Sequence, residues 1–261
     1  MANKKPVGTI TRGTTNPNRL RRVDRFIAAA PIVRKPQCVV VDLGFGASPI
    51  TAIELQDRLS KINSSIRVIG IEIDRERVQR GIEVQRPGLS FMLGGFETPL
   101  PAGITSADVI RAFNVLRQYD ENEVAAAWAQ MQGRLSPDGL LIEGTCDEIG
   151  RLSSWVTLGR EAPKTFTISL HLGTLETPSQ VAERLPKALI HRNVAGEKIR
   201  EYLVALDKAW AKNSPLSSFG AVQRWLATCE DMARLQWPIA VNRKRWRLGE
   251  LTVDWAAVAP K

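Results

Sequence analysis

The feature that most constrains this chain is an alternation, between residues 38 and 144, of short apolar runs with segments of helical spacing. Cys38–Leu43, Arg67–Ile73, Leu89–Leu93, Ala107–Phe113 and Leu140–Gly144 have strand length and are rich in Val and Ile. Between them, Pro49–Ile62 carries Ile50, Ile53, Leu59 and Ile62 at helical intervals, and Arg75–Glu83 and Glu121–Leu135 have the same character. The strand runs are mostly apolar and do not alternate strictly with polar residues, as strands buried on both faces are. The pattern predicts an α/β chain: a parallel sheet with helices on both faces, three layers in all.

After Gly150 the rhythm changes. Ser154–Leu158 and Thr165–Leu172 read as a two-stranded hairpin, and Ser179–Leu189, Glu197–Lys212 and Ala221–Leu235 as helices. Pro238–Val241 and Gly249–Trp255 read as closing strands around a basic turn, Asn242–Arg247. Residues 1–35 are expected to form a basic arm and helix, 36–175 the core of the sheet, and 176–261 a helical addition with closing strands packed on that core.

Charge sharpens the picture of the N-terminal segment. The chain has 36 Lys plus Arg against 27 Asp plus Glu, a net +9. Residues 1–35 hold nine of the cations (Lys4, Lys5, Arg12, Arg19, Arg21, Arg22, Arg25, Arg34 and Lys35) against one anion, Asp24, so the rest of the chain is nearly balanced. The first eighteen residues lack apolar periodicity and read as irregular. From Asn18 a helix is expected with Leu20, Val23, Phe26, Ile27 and Ala30 inward and Arg21, Arg22 and Arg25 outward, a face able to contact phosphates. Three widely spaced cysteines fit neither a disulfide framework nor a zinc site, and no apolar stretch is long enough to span a membrane. A cytoplasmic protein without a membrane partner is expected.

In an open parallel sheet, ligands bind beyond the C-terminal ends of the strands. The first strand runs into Asp42-Leu43-Gly44-Phe45-Gly46-Ala47-Ser48-Pro49, where two glycines permit a tight turn and Pro49 suits a helix start. The second ends in Gly70-Ile71-Glu72-Ile73-Asp74, placing a carboxylate where it can accept hydrogen bonds from both hydroxyls of a ribose. A dinucleotide site requires a third glycine where Pro49 stands, and Asp42 would repel a pyrophosphate while suiting a cationic, amino-acid-bearing ligand. The third strand leads into Leu93-Gly94-Gly95-Phe96-Glu97, the fourth into Phe113-Asn114-Val115-Leu116-Arg117-Gln118-Tyr119, and Arg134-Leu135-Ser136-Pro137-Asp138-Gly139-Leu140-Leu141-Ile142 precedes the fifth.

Taken in this order, these segments resemble the class I S-adenosylmethionine-dependent methyltransferases over roughly residues 38–145. The resemblance implies a Rossmann-like methyltransferase sheet with S-adenosyl-L-methionine as cofactor. It implies that Asp42, Gly44 and Gly46 form the first cofactor motif and that Glu72 holds the ribose. Gly95 stands where that family commonly has an acid, and Phe96 could stack on the adenine or offer it a backbone N–H. Asn114 falls in the segment beneath the methionine part of the cofactor.

Methyl transfer from a sulfonium requires alignment of acceptor and methyl group, with a base only where the acceptor must lose a proton. The polar residues placed for this are Asn114, Tyr119, Asp147 and Glu148, with Arg117 beside Arg21, Arg22 and Arg25 as contacts to an anionic acceptor. Thr145-Cys146 resembles the nucleophile segment of RNA cytosine-C5 methyltransferases, but their companion Pro-Cys is absent and a buried structural cysteine is expected. No metal site is expected. The basic arm favours RNA as acceptor, with two alternatives: a small-molecule methyltransferase with a helical lid over residues 176–235, and a non-catalytic RNA-binding protein of the same fold.

Overall fold

The computed structural model describes residues 5–261, so Lys4 of the basic arm lies outside the described residues. Eight strands form one mixed sheet in the order β3-β2-β1-β4-β5-β6-β7-β8. They are β1 (Val39–Leu43), β2 (Arg67–Glu72), β3 (Leu89–Leu93), β4 (Ala107–Phe113), β5 (Leu135–Cys146), β6 (Leu152–Leu158), β7 (Pro163–Leu170) and β8 (Glu250–Asp254). The chain divides into two compact units. The first runs to Glu143 and takes in Glu148–Gly150 and Leu158–Ala162; the second comprises Gly144–Asp147, Arg151–Thr157 and Pro163–Lys261.

In the first unit β1 pairs in parallel with β2 and β4, and β2 with β3. Helix α1 (Arg21–Ala29) precedes β1, α2 (Ile50–Ser60) links β1 to β2, α3 (Arg75–Ile82) links β2 to β3, and α4 (Val124–Gln132) leads into β5. The chain moves outward from β1 to β3, then returns to place β4 on the other side of β1. Right-handed crossovers in opposite directions put their helices on opposite faces, which produces three layers and a switch point between β1 and β4. Every residue of β1 and β4 is buried, the charged Asp42, Asp108 and Arg111 included.

Two charged residues inside this sheet, Asp42 and Arg111, and one on α1, Asp24, hold each other. Arg111 of β4 is fully buried and donates from Nε to Asp42 Oδ1 of β1 at 3.0 Å, from Nη2 to the Thr51 carbonyl at 3.1 Å, and from Nη1 to Asp24 of α1. Thr51 Oγ1 donates to Asp42 Oδ2 at 2.8 Å, and Arg58 also reaches Asp24. Burial lifts the pKa of Asp24, while Arg111 and Arg58 pull it down. The cluster ties α1 and α2 to the two central strands.

Helix α1 begins at Arg21, three residues later than the pattern suggests, and its arginines do not form a solvent face. Arg22 is buried and donates from Nε to the Gly150 carbonyl at 2.9 Å; Arg21 donates to the Ile149 carbonyl at 2.7 Å; Arg25 is exposed. Strand β5 starts five residues before the expected Leu140 and includes Pro137-Asp138-Gly139. Ser136 Oγ donates to Asp108 Oδ1 and the Ala107 N–H to the Arg134 carbonyl, which holds the chain beside β4 ahead of that tripeptide.

In the second unit β7 pairs with β8 antiparallel, with the Thr167 and Thr252 hydroxyls 2.8 Å apart. Helices α6 (Lys198–Lys212) and α7 (Ala221–Arg234) bury Tyr202, Leu206, Trp225 and Cys229, and the Arg224 guanidinium lies 3.7 Å from the centre of the Trp210 ring. The expected helix at 179–189 is instead a 3₁₀ stretch, Pro178–Arg184, followed by the single-turn helix α5 (Lys187–Ile190), with Pro186 between them. Pro238–Val241 forms a bridge from Ile239 to Val253 rather than a full strand. The basic turn is a helical turn, α8 (Arg243–Trp246), in which Trp246 is buried and Arg243 and Arg245 pair with Glu230 and Glu250. Among the described residues no helix is long and apolar enough to cross a membrane.

Two predictions follow from the buried charges. Replacing Arg111 with Met leaves Asp24 and Asp42 without their shared partner, and chemical denaturation should show a loss of roughly 3–5 kcal/mol. Glu143 of β5 is fully buried, and burial raises its pKa from 4.5 to about 8 against a smaller opposing pull from the Trp128 indole. The folded chain then keeps a proton that the unfolded chain releases above about pH 4.5, so stability falls as pH rises from about 4.5 to about 8. Glu143→Gln should flatten that slope and stabilise the protein by about 3 kcal/mol at pH 7; denaturant titrations at pH 5 and pH 7.5 measure both effects.

Candidate functional site

Because β1, β2, β3 and β4 are parallel, their C-terminal ends lie along one edge of the first unit, and the loops that follow them form a cleft there. The Gly44 N–H donates to the Ile71 carbonyl at 2.7 Å, drawing the turn after β1 against the end of β2. Gly46 has φ +85°, a left-handed conformation that a side chain resists, and its N–H donates to Glu72 Oε2 at 2.9 Å. Glu72 is buried; its Oε1 accepts from the Ile73 N–H at 3.0 Å and lies 3.6 Å from the Arg77 guanidinium. Asp74 caps α3 by accepting from the N–H groups of Glu76 and Arg77.

The loop after β3 supplies Gly95 and Phe96, and the segment after β4 supplies Val115 and Tyr119. The Phe96 and Tyr119 rings meet edge to face with centroids 5.1 Å apart. Five of the expected site residues, Gly44, Glu72, Gly95, Phe96 and Tyr119, therefore line one recess, and Gly46 closes its floor through Glu72.

The other expected residues are placed differently. The carboxylate of Asp42 is engaged by Arg111 and Thr51 inside the sheet. Asn114 adopts φ +61° in the turn after β4, next to Val115, whose side chain packs against Gly44. Arg117 is half-buried in the following 3₁₀ turn. The Glu148 carbonyl accepts from Asn16 Nδ2 at 3.1 Å, while Asp147 belongs to the second unit and accepts from the Arg151 N–H at 2.7 Å. Cys146 is fully buried.

What the sequence pattern missed is the course of the arm: residues 7–15 run through this cleft. The Phe96 N–H donates to the Val7 carbonyl at 3.0 Å, and the Val7 N–H to Glu97 Oε2 at 2.8 Å. The Thr9 N–H donates to Tyr119 Oη at 2.6 Å, and that hydroxyl donates back to the Thr9 carbonyl at 3.2 Å. Arg77 donates to the Thr11 carbonyl at 2.9 Å, the Ala47 N–H to the Gly13 carbonyl at 2.8 Å, and Thr15 Oγ1 to the Phe45 carbonyl at 3.0 Å. At Gly95 a Cβ would lie 1.9 Å from the Val7 carbonyl oxygen, so the arm and the β3 loop touch backbone to backbone. Arg77 went unnoticed because it reads as a surface cation on a short helix. The arm's one signal was its run of small residues, Gly8-Thr9-Ile10-Thr11-Arg12-Gly13-Thr14-Thr15, unlike the charged composition of a solvated tail.

The walls of the cleft suit an adenosyl ligand in kind: a carboxylate at the end of β2, a glycine turn after β1 and an aromatic pair beyond β3. With the arm seated they do not fit one in size. The cavity that remains is about 30 Å³, room for about two waters, whereas pockets for ligands of that size run to roughly 300–1,000 Å³.

No protein-family model matches the sequence, and no curated protein sequence matches it. Solved structures are similar over about half of the chain. The citrinin polyketide synthase CMeT domain is 15% identical over 49% of this chain and 34% of its own, with a TM-score of 0.38. The magnesium protoporphyrin IX methyltransferase of Synechocystis, solved with bound S-adenosylhomocysteine, is 17% identical over 49% of this chain and 54% of its own, TM-score 0.38. A TehB-like S-adenosylmethionine-dependent methyltransferase from Corynebacterium glutamicum is 20% identical over 51% of this chain and 65% of its own, TM-score 0.34. The chain spans less than two thirds of the length of each. Four parallel strands in the order β3-β2-β1-β4, a glycine turn after β1 and a carboxylate that closes β2 make this a Rossmann-like α/β sheet.

Proposed function

We propose that the first unit binds S-adenosylmethionine in the cleft between β1 and β4 and that the chain transfers its methyl group to a small-molecule acceptor. The observation that carries the cofactor reading is Glu72: a buried carboxylate at the end of β2, bonded to the N–H of the Gly46 turn and lining the cleft. A ligand with two vicinal hydroxyls gives such a carboxylate two further donors. Bound there, the cofactor would supply an activated methyl group. Tyr119 is the polar side chain of the recess able to orient an acceptor, and the apolar walls of Leu43, Ile73, Phe96 and Val115 exclude water.

The preference for a small acceptor comes from the arm's cations. Arg19, Arg21 and Arg22 donate to the carbonyls of Thr14, Ile149 and Gly150, Arg19 and Arg22 being buried, and Lys35 pairs with Asp108, so these side chains are turned to the chain's own loops and not presented to a polyanion. A second reading, a non-catalytic protein of this fold, is favoured by one observation, the seated arm.

Titration calorimetry with S-adenosylhomocysteine separates the two readings. The full chain is expected to bind it and Glu72→Ala to bind at least ~10-fold more weakly, the scale of a hydrogen bond to a charged group; equal affinities would overturn the assignment of the ribose to Glu72. With labelled cofactor, total RNA and a metabolite extract, label is expected in the small-molecule fraction. Label in RNA would reverse the choice of acceptor, and label in neither would favour the non-catalytic reading.

A further inference from the structure

We propose that residues 5–15 are an intramolecular strap that occupies the cofactor cleft and has to leave it before an adenosyl ligand enters, so that strap and ligand exclude each other. The proposal rests on the cofactor reading above. The strap takes the groups an incoming ligand would need: the Phe96 N–H, the Tyr119 hydroxyl, the Arg77 guanidinium and the Ala47 N–H each bond to its backbone. It also fills the space, since the cavity left beside it holds about 30 Å³.

The seat is polar and shallow. Val7 and Ile10 of the strap are 41% and 62% exposed and Pro6 is only half-buried, so little apolar burial opposes release. Firm attachment begins further along the chain. The Asn18 N–H donates to both carboxylate oxygens of Glu54, Arg58 donates to Asn18 Oδ1, and Leu20 is buried. Asn18 itself has φ +59°, a sharp change of direction at the point where the strap joins α1. Release of residues 5–15 about that point breaks the bonds from Arg19 to the Thr14 carbonyl and from Thr15 Oγ1 to the Phe45 carbonyl, and leaves the Asn18 contacts to Glu54 and Arg58 in place. Release would also free Arg77 from the Thr11 carbonyl, leaving its guanidinium beside Glu72 at the mouth of the cleft.

Exclusion has a quantitative consequence: the apparent Kd of the ligand is its intrinsic Kd divided by the fraction of molecules with the strap released. The test loosens the strap without touching the cleft walls. Gly8 and Gly13 hold φ +128° and +69°, conformations a β-branched residue resists, and a Cβ at Gly8 would lie 2.8 Å from Tyr119 Oη, so Gly8→Val with Gly13→Val should unseat the strap. A second variant, Thr9→Pro, removes the N–H given to Tyr119. Calorimetry with S-adenosylhomocysteine is run on the full chain and on both variants, with hydrogen exchange of residues 5–15 followed in each. The strap predicts fast exchange and at least ~10-fold tighter binding in the variants, and faster exchange of these residues in the full chain when the ligand is added. Equal affinity in all three, with the strap's amides still protected in the liganded full chain, overturns the strap and leaves the cofactor reading intact. No binding by any of them, despite fast exchange in the variants, overturns the cofactor reading and the strap with it.

Discussion

The contact on which the first unit depends is the buried cluster of Asp24, Arg111 and Asp42. Placing a guanidinium in the middle of an apolar strand costs several kcal/mol in lost hydration, and the cost is offset only if its charge and its donors are all met. Here they are met from two other elements at once, Asp42 on β1 and Asp24 on α1, with the Thr51 carbonyl taking a further N–H. Apolar packing alone leaves a helix free to slide by a turn against a sheet; a buried ion pair does not. The cluster therefore fixes where α1 lies, and so fixes the point from which the N-terminal arm leaves for the cleft. It also determines which acid faces a ligand. Asp42, first in the glycine motif, is taken up by Arg111, and Glu72 is left as the carboxylate of the cleft.

The same logic changes the meaning of the net charge. Composition makes the arm look like a hand for an anion, yet several of its cations work as internal struts. Arg19 holds the Thr14 carbonyl, Arg21 and Arg22 hold Ile149 and Gly150, and Lys35 closes on Asp108, which also bonds to the Val39 N–H and Ser136. Guanidinium groups are suited to this work because they carry several donors in a planar fork and keep their charge when buried. The cluster at 243–247 behaves alike, with Trp246 packed inside and two arginines paired to Glu230 and Glu250. A positive total thus describes a chain that fastens its loops with arginine as much as one that binds polyanions.

How much of this was legible in the sequence follows from how far each signal reaches. The strands at 67, 89 and 107 and helices α2, α3, α6 and α7 are written in local periodicity and were placed within a few residues of where they occur. The ligand edge followed from the sheet, and Gly44, Gly46, Glu72, Gly95 and Phe96 from their positions after strands. Arg111 gave a signal that went unused: a charge inside Ala-Asp-Val-Ile-Arg-Ala-Phe requires partners, and Asp42 lies in an equally apolar run, while Asp24 is hidden among arginines. The path of residues 7–15 gave almost none. An extended segment held by backbone hydrogen bonds has no periodicity, because the bonds are made by groups that every residue carries.

That difference bears on what the cleft is for. An exposed edge of turns presents donors and acceptors that water, a ligand or another stretch of backbone can satisfy about equally well. Each hydrogen bond of the arm is worth roughly 0.5–1.5 kcal/mol net, while ordering a residue costs roughly 1–2 kcal/mol, so a segment with its apolar side chains in solvent gains little by staying. A fixed structural element would be expected to bury Val7 and Ile10 as α1 buries Val23 and Ile27. Nature of the seat and depth of the anchor point the same way: α1 is fastened by charge and apolar contact, and the strap in front of it by hydrogen bonds to its backbone. On the proposal made above, the cleft is a site with two exchangeable occupants, one of them carried by the chain itself.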